Sequence, residues 1–177
     1  MLNSKLPHVD ITEQLWKEMM CNVRDGIFRK LKAARSTLGI DKDVSAGVYV
    51  YAVEEFGKLL LLNKAIKVSG MRRVIYHNEF VNHNKKFKTA FDYFQANGYD
   101  NCLVISQGWF VVSDIAWDVI ERRLLAETQA RLSIFYSDFA YDNKQQITIE
   151  RPPAVDTSIL QKAIDELERA SSSLTIP

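Results

Sequence analysis

Two adjacent carboxylates and a lysine interrupt an otherwise apolar helical run, Tyr51–Leu62, YAVEEFGKLLLL. About 20 residues further on, the segment FVNHNKKF, Phe80 to Phe87, sets a histidine inside its own apolar spacing. Charged and titratable groups on core-facing helical stripes cost free energy unless they are paired. These two segments therefore constrain the chain more than any other feature. They must either meet in a buried polar network or face each other across a site.

The 177 residues suit one domain with a sizeable core. Apolar content of 47% and charged content of 25% are ordinary for a globular chain. Seven glycines and four prolines favour helices over a sheet-rich fold. A net charge of +1 gives no global basic field for nucleic acid, although Arg72 and Arg73, Lys85, Lys86 and Lys88, and Arg122 and Arg123 form local clusters. Cys21 and Cys102 fall in no metal or redox spacing and read as reduced thiols. No N-terminal signal pattern stands out, and no run reaches the ~18 apolar residues of a membrane span. A cytoplasmic protein with no membrane contact is the expectation.

Periodicity predicts a helix over 10–38, with Asp10 or Thr12 as its cap, and Gly39 as its stop. Further helices are expected over 43–68, ended by Ser69-Gly70, over 71–96, ended by Asn97-Gly98, and over 109–131. The stretch Cys102–Ser106 suits strand or helix equally. The alternation in LSIFYSDF and ITIE predicts a β-hairpin or extended arm over 132–150, closed by Pro152-Pro153. A last amphipathic helix covers 156–171. The expected fold is mainly α, an antiparallel helical bundle with a small β appendage near the C-terminus.

On the second helix, Glu54 precedes Lys58 by four residues, the favourable order for an ion pair worth a few tenths of a kcal/mol. Glu55 shares its wheel face with Val48, Tyr51, Ala52, Leu59 and Leu62 and needs a partner or a raised pKa. Gly57 costs ~1 kcal/mol in mid-helix, which is explained if another helix approaches closely there. On the third helix, Tyr76, Phe80, His83, Phe87, Ala90 and Phe94 follow a 4-3-4-3-4 spacing, with Arg72 and Lys86 flanking that stripe. Counted from Ser69-Gly70, Glu55 lies about 14–15 residues back and His83 about 13–14 forward; at ~1.5 Å per residue the depths agree within a turn. If the helices pack antiparallel, Glu55 and His83 meet. Such a pair with Lys58, Lys86 and Arg72 would serve either as a satisfied polar core or as an acid–base site for an anionic substrate. His77 and His8 are weaker candidates. The chain holds no Gly-rich phosphate loop, HExxH, GxSxG or CxxC, so no metal or cofactor is expected.

The same residues carry a family likeness. YAVEEFGK resembles the A-x-E-E-x-G-K helix of AbiV-type abortive infection proteins, members of the HEPN superfamily. FVNHNKK is similar to their F-x-x-H-x-x-K segment. RLSIFYSDF, before Pro152-Pro153, is similar to their R-x-x-x-[FY]-Y-x-D segment. The resemblance runs over about residues 45 to 153. It implies a HEPN-type helical bundle, a homodimer, and a role in bacterial phage defence through shutdown of translation. It also implies RNA as a substrate and metal-independent ribonuclease chemistry. The motif positions fall on Glu54, Glu55, Gly57, Lys58, His83 and Lys86. The family's R-x(4–6)-H spacing before His83 is met by Asn78 rather than arginine; Arg72-x4-His77 has the letters but splays by about 140° on a helix. The expected catalytic residues are thus His83, Glu55 and Lys86, with Glu54, Lys58, Arg72 and Asn78 at the substrate. The competing expectation is a non-catalytic module that binds a phage protein, nucleic acid or nucleotide, with the charged cluster structural. The aromatics Trp109, Trp117, Phe135, Tyr136 and Phe139 offer surface either for a dimer or for the core.

Overall fold

Thr12 ends an extended segment and starts the first helix, its hydroxyl accepting from Leu15 N. The computed structural model describes residues 8–68, 72–109, 138–141, 147–150 and 156–175. Among them the chain is mainly helical. Strand β1 (His8–Thr12) leads into α1 (Glu13–Thr37), and α2 (Lys42–Asn63) follows a short link capped by Asp41. Strands β2 (Ile66–Val68) and β3 (Arg72–Tyr76) come next, then α3 (His77–Val81), α4 (His83–Asn97) and α5 (Asp100–Trp109). Strands β4 (Asp138–Tyr141) and β5 (Ile147–Glu150) pair antiparallel, and α6 (Thr157–Ser173) ends the described chain.

Helices α1 and α2 form an antiparallel hairpin. Trp16 Nε1 donates to Leu62 O at 2.8 Å at one end, and Ser45 Oγ donates to Ala34 O at 2.7 Å at the other. The core fills the space between α1, α2, α4 and α6. Its fully buried members include Trp16, Met20, Ile27, Tyr49, Phe56, Leu59, Phe94 and Leu167. Phe56 stacks on Phe94 at 5.5 Å and meets Tyr93 edge-on at 5.2 Å. Because α2 packs against α1, α4 and α6 together, it buries most of its circumference. That is why its sequence is apolar nearly all round.

The helix expected over 71–96 is not continuous. Its first part is β3, which lies between β1 and β2 in a three-stranded antiparallel sheet with Val74 opposite both Asp10 and Ile66. The run Val74-Ile75-Tyr76 has the branched and aromatic side chains that suit a pleated surface. Asn82 then breaks the helical path, and its side chain accepts from Lys85 N at 3.1 Å to start α4. The helices expected over 10–38 and 43–68 are trimmed for the same reason. Residues 8–12 and 66–68 join the sheet instead. Arg73 locks that sheet to α1: its guanidinium forms two hydrogen bonds to Glu13, at 2.9 and 3.0 Å, and lies 3.6 Å from the Trp16 ring centre.

Cys102–Ser106 lies in α5. Gly98 ends α4 at φ 69, a left-handed conformation that favours glycine. The hairpin expected over 132–150 is present as β4 and β5, and the last helix extends two residues past its expected end to Ser173. Trp109, the expected start of a helix over 109–131, is instead the last residue described in α5; residues 110–131, the Asp142-Asn143 turn, and Trp117, Phe135 and Tyr136 lie outside the described residues. No helix among the described residues is long and apolar enough to cross a membrane.

A second polar cluster ties α5 to α6. Glu166, on the buried stripe of α6, accepts from Cys102 N at 3.0 Å and from Asn101 Nδ2. The backbone N–H groups at the start of α5 need such acceptors, and a carboxylate there opposes the helix dipole favourably. Burial pushes the neighbouring Cys102 thiol up to about 12, with the Glu166 charge adding to that rise. Glu166→Ala should lower stability by about 1–3 kcal/mol through the unmet donors at the start of α5, read by urea denaturation. An unchanged denaturation midpoint would show that water replaces the carboxylate without loss.

Candidate functional site

The site begins with a missing side chain. A Cβ built on Gly57 would lie 1.9 Å from Lys86 O and 2.5 Å from Lys86 C, so the backbone of α4 rests directly on α2 at this point. That approach fixes Lys86 over α2. Three residues before Gly57, on the same face, stands Glu54. The Lys86 ammonium donates to Glu54 Oε1 at 2.6 Å, and Lys86 is only 4% exposed. One turn earlier on α4, His83 Nδ1 lies 2.6 Å from the same oxygen.

The protonation states follow from the geometry. Burial opposes ionisation of Glu54, but the hydrogen bond and charge of Lys86, and then those of His83, outweigh it and hold the carboxyl below its ordinary value. An ionised carboxylate can only accept, so Nδ1 of His83 must carry the proton and donate it. In the neutral ring this fixes the lone pair on Nε2. The His83 side chain is 53% exposed, so an imidazole anchored in a buried ion pair reaches the surface. Its place as the first residue of α4, rather than inside a helical stripe, accounts for that exposure.

The two acids exchange the partners expected of them. Glu54, not Glu55, meets His83 and Lys86. Lys58 pairs with Glu55 at 2.9 Å, not with Glu54, and Lys30 of α1 stands 3.8 Å from the same carboxylate. The reason is that the Val48–Tyr51–Glu55–Lys58 row is the least buried stripe of α2, with Tyr51 39% exposed, whereas the Val50–Glu54–Gly57–Leu61 row is buried. On a helix covered on three sides, apolar neighbours on the wheel do not mark the inner face. His83 does meet α2, but the equal-depth count does not account for it, because β2, β3 and α3 lie between them rather than two continuous helices joined by a tight turn.

Of the expected site residues, the structure thus gathers His83, Lys86 and Glu54. Glu55 and Lys58 form a separate, partly exposed pair. Arg72 opens β3 opposite Thr12, while His77 and Asn78 open α3, and only the backbone of these three is described. The helical argument against Arg72-x4-His77 therefore does not apply, because a strand precedes His77. Lys30 and the Glu166 cluster were not anticipated. The signal for Glu166 was its place among Leu160, Ala163, Ile164, Leu167 and Ala170, an apolar stripe that a carboxylate enters only with partners. Among the described residues, no three histidine, cysteine, aspartate or glutamate side chains converge as a metal site requires.

Comparison with protein-family models, with curated proteins and with solved structures finds no match to this chain.

Proposed function

We propose that this chain is an AbiV-type, HEPN-like effector of bacterial phage defence, and that His83, held by Glu54, performs acid–base chemistry on RNA. The observation that carries this reading is the Glu54–His83–Lys86 cluster, in which a buried carboxylate orients a half-exposed imidazole. Cleavage of RNA without a metal needs a base to take the 2′-hydroxyl proton as that oxygen attacks the adjacent phosphorus, and an acid to protonate the departing 5′ oxygen. With its Nδ1 proton held by Glu54, His83 presents Nε2 as that base, and the imidazolium formed is stabilised by the same carboxylate. One histidine per chain supplies one of the two proton transfers. A homodimer, with His83 of a second copy as the acid, completes the pair. Lys86 is committed to Glu54 and acts by setting its charge. The cation nearest in sequence for the phosphate is Lys85, 48% exposed and paired with Glu79 at 3.4 Å, a surface pair that a phosphate would have to displace.

A second reading has its own support. Lys86 and Glu54 are buried together, as in a structural polar core, and an interaction module binding a phage protein, nucleic acid or nucleotide would need no more. Purified protein incubated with total and transfer RNA in chelator separates the two. Catalysis by His83 predicts cleavage that falls by at least 100-fold in His83→Ala while the circular dichroism spectrum of the folded chain is retained. No cleavage by the parent protein, or equal cleavage by the variant, would retire the catalytic reading.

A further inference from the structure

A cavity of about 250 Å³ opens between the end of α2, strand β3, α3 and α4. It is separate from the Glu54–His83–Lys86 cluster. We propose that it binds a small organic monoanion, a carboxylic acid with a compact apolar body. Its floor is apolar, made by Leu61, Ala65, Val74, Ile75 and Phe80. Its rim is charged and unequal. Lys85 is matched by Glu79 at 3.4 Å and Lys88 by Asp92 at 2.8 Å, and all four line the cavity. Lys64, at the end of α2, is the third ammonium on the rim and has no ion-pair partner among the described residues. Among the described residues, three ammoniums against two carboxylates leave a surplus of one positive charge, which one anionic head would neutralise. The Tyr76 and Thr89 side chains add hydroxyl-bearing walls.

The combination suits a ligand with two unlike ends. An apolar tail removes water from the floor, and a head at the rim meets Lys64, whose charge no carboxylate among the described residues offsets by an ion pair. The volume falls just below the roughly 300–1,000 Å³ of sites for drug-sized molecules, which points to a smaller acid. Water-filled pockets with an apolar lining and a few convergent polar groups are the usual places for such binding.

The test uses the full chain with octanoate, 1-octanol and octylamine as probes, below their aggregation concentrations, followed by isothermal titration and saturation-transfer NMR. Octanoate should bind at least tenfold more tightly than either uncharged octanol or the cationic amine. Lys64→Glu, a surface change that leaves the fold intact, should weaken octanoate at least tenfold. Ala65→Phe, which fills the floor, should abolish binding while the circular dichroism spectrum is retained. Lys64→Glu keeps the proposal testable even where the filled variant fails to fold. Failure of octanoate to bind at millimolar concentration, equal binding of octanol, or octanoate affinity unchanged in Lys64→Glu would each overturn it.

Discussion

Gly57→Ala should destabilise the chain by about 3 kcal/mol, against the sign that helix propensity gives. In a helix interior alanine is favoured over glycine by ~1 kcal/mol, so propensity alone predicts a gain. Sterics reverse it. The new methyl would sit 1.9 Å from Lys86 O, where ordinary contact begins at 3.4 Å, and the obstructing atoms are backbone rather than the end of a flexible side chain. Helix α4 would have to withdraw, opening the Phe56–Phe94 stack and separating Lys86 and His83 from Glu54. Gly26→Ala provides the control. Its nearest neighbour is the tip of Lys30 at 3.9 Å, so that substitution should gain about 1 kcal/mol. Urea denaturation with an unchanged slope reads both. Equal stability of Gly57→Ala and the parent would mean that α4 does not rest on α2 as described.

This contrast also shows how much the sequence disclosed. Gly57 was legible because a glycine inside LLLL-rich helical sequence has a conformational cost that only close packing explains. His83 was foreseen as a partner of α2 from a count along two continuous helices, but the strands at 66–68 and 72–76 mean that this count does not explain the meeting. The choice between Glu54 and Glu55 was not legible. Adjacent residues sit about 100° apart on a helix, and α2 has apolar neighbours in every direction, so hydropathy could not say which acid faced α4. The strand at Arg72–Tyr76 was hidden for a different reason. Tyr76, Phe80 and His83 fit a helical period by coincidence, while the evidence for a strand lies in its pairing with residues 8–12 and 66–68, which only the folded chain brings together. The Asn82 cap that divides α3 from α4 was visible as a residue type but not as a boundary.

Removing the Glu54 carboxylate should have a comparable effect, and its pattern across variants tests the electrostatic account of the cluster. Glu54→Ala leaves the Lys86 ammonium buried without its counter-charge, a change that typically costs about 3–5 kcal/mol. The double variant Glu54→Leu with Lys86→Met removes both charges while keeping volume, and should recover most of that loss. The critical comparison is with Glu54→Leu alone, which keeps the volume but leaves Lys86 uncompensated and should stay as unstable as Glu54→Ala, since a purely steric role for Glu54 would make that single variant as stable as the double one. The pH dependence follows from the same geometry. Burial raises the Glu54 carboxyl, yet Lys86 and then His83 bring it below its unfolded value. The proton thus binds more tightly to the unfolded chain. The contribution of ionised Glu54 is fully present above the ordinary glutamate value of about 4.3 and declines as pH falls from there through the folded value. In Glu54→Gln that acid-side decline should flatten, measured as denaturation midpoints at stepped pH below 5. His83→Ala should remove only part of it, because Lys86, the stronger of the two influences that lower the Glu54 carboxyl, remains. A parent and Glu54→Gln that lose stability in parallel on acidification would place the acid-sensitive group elsewhere in the fold.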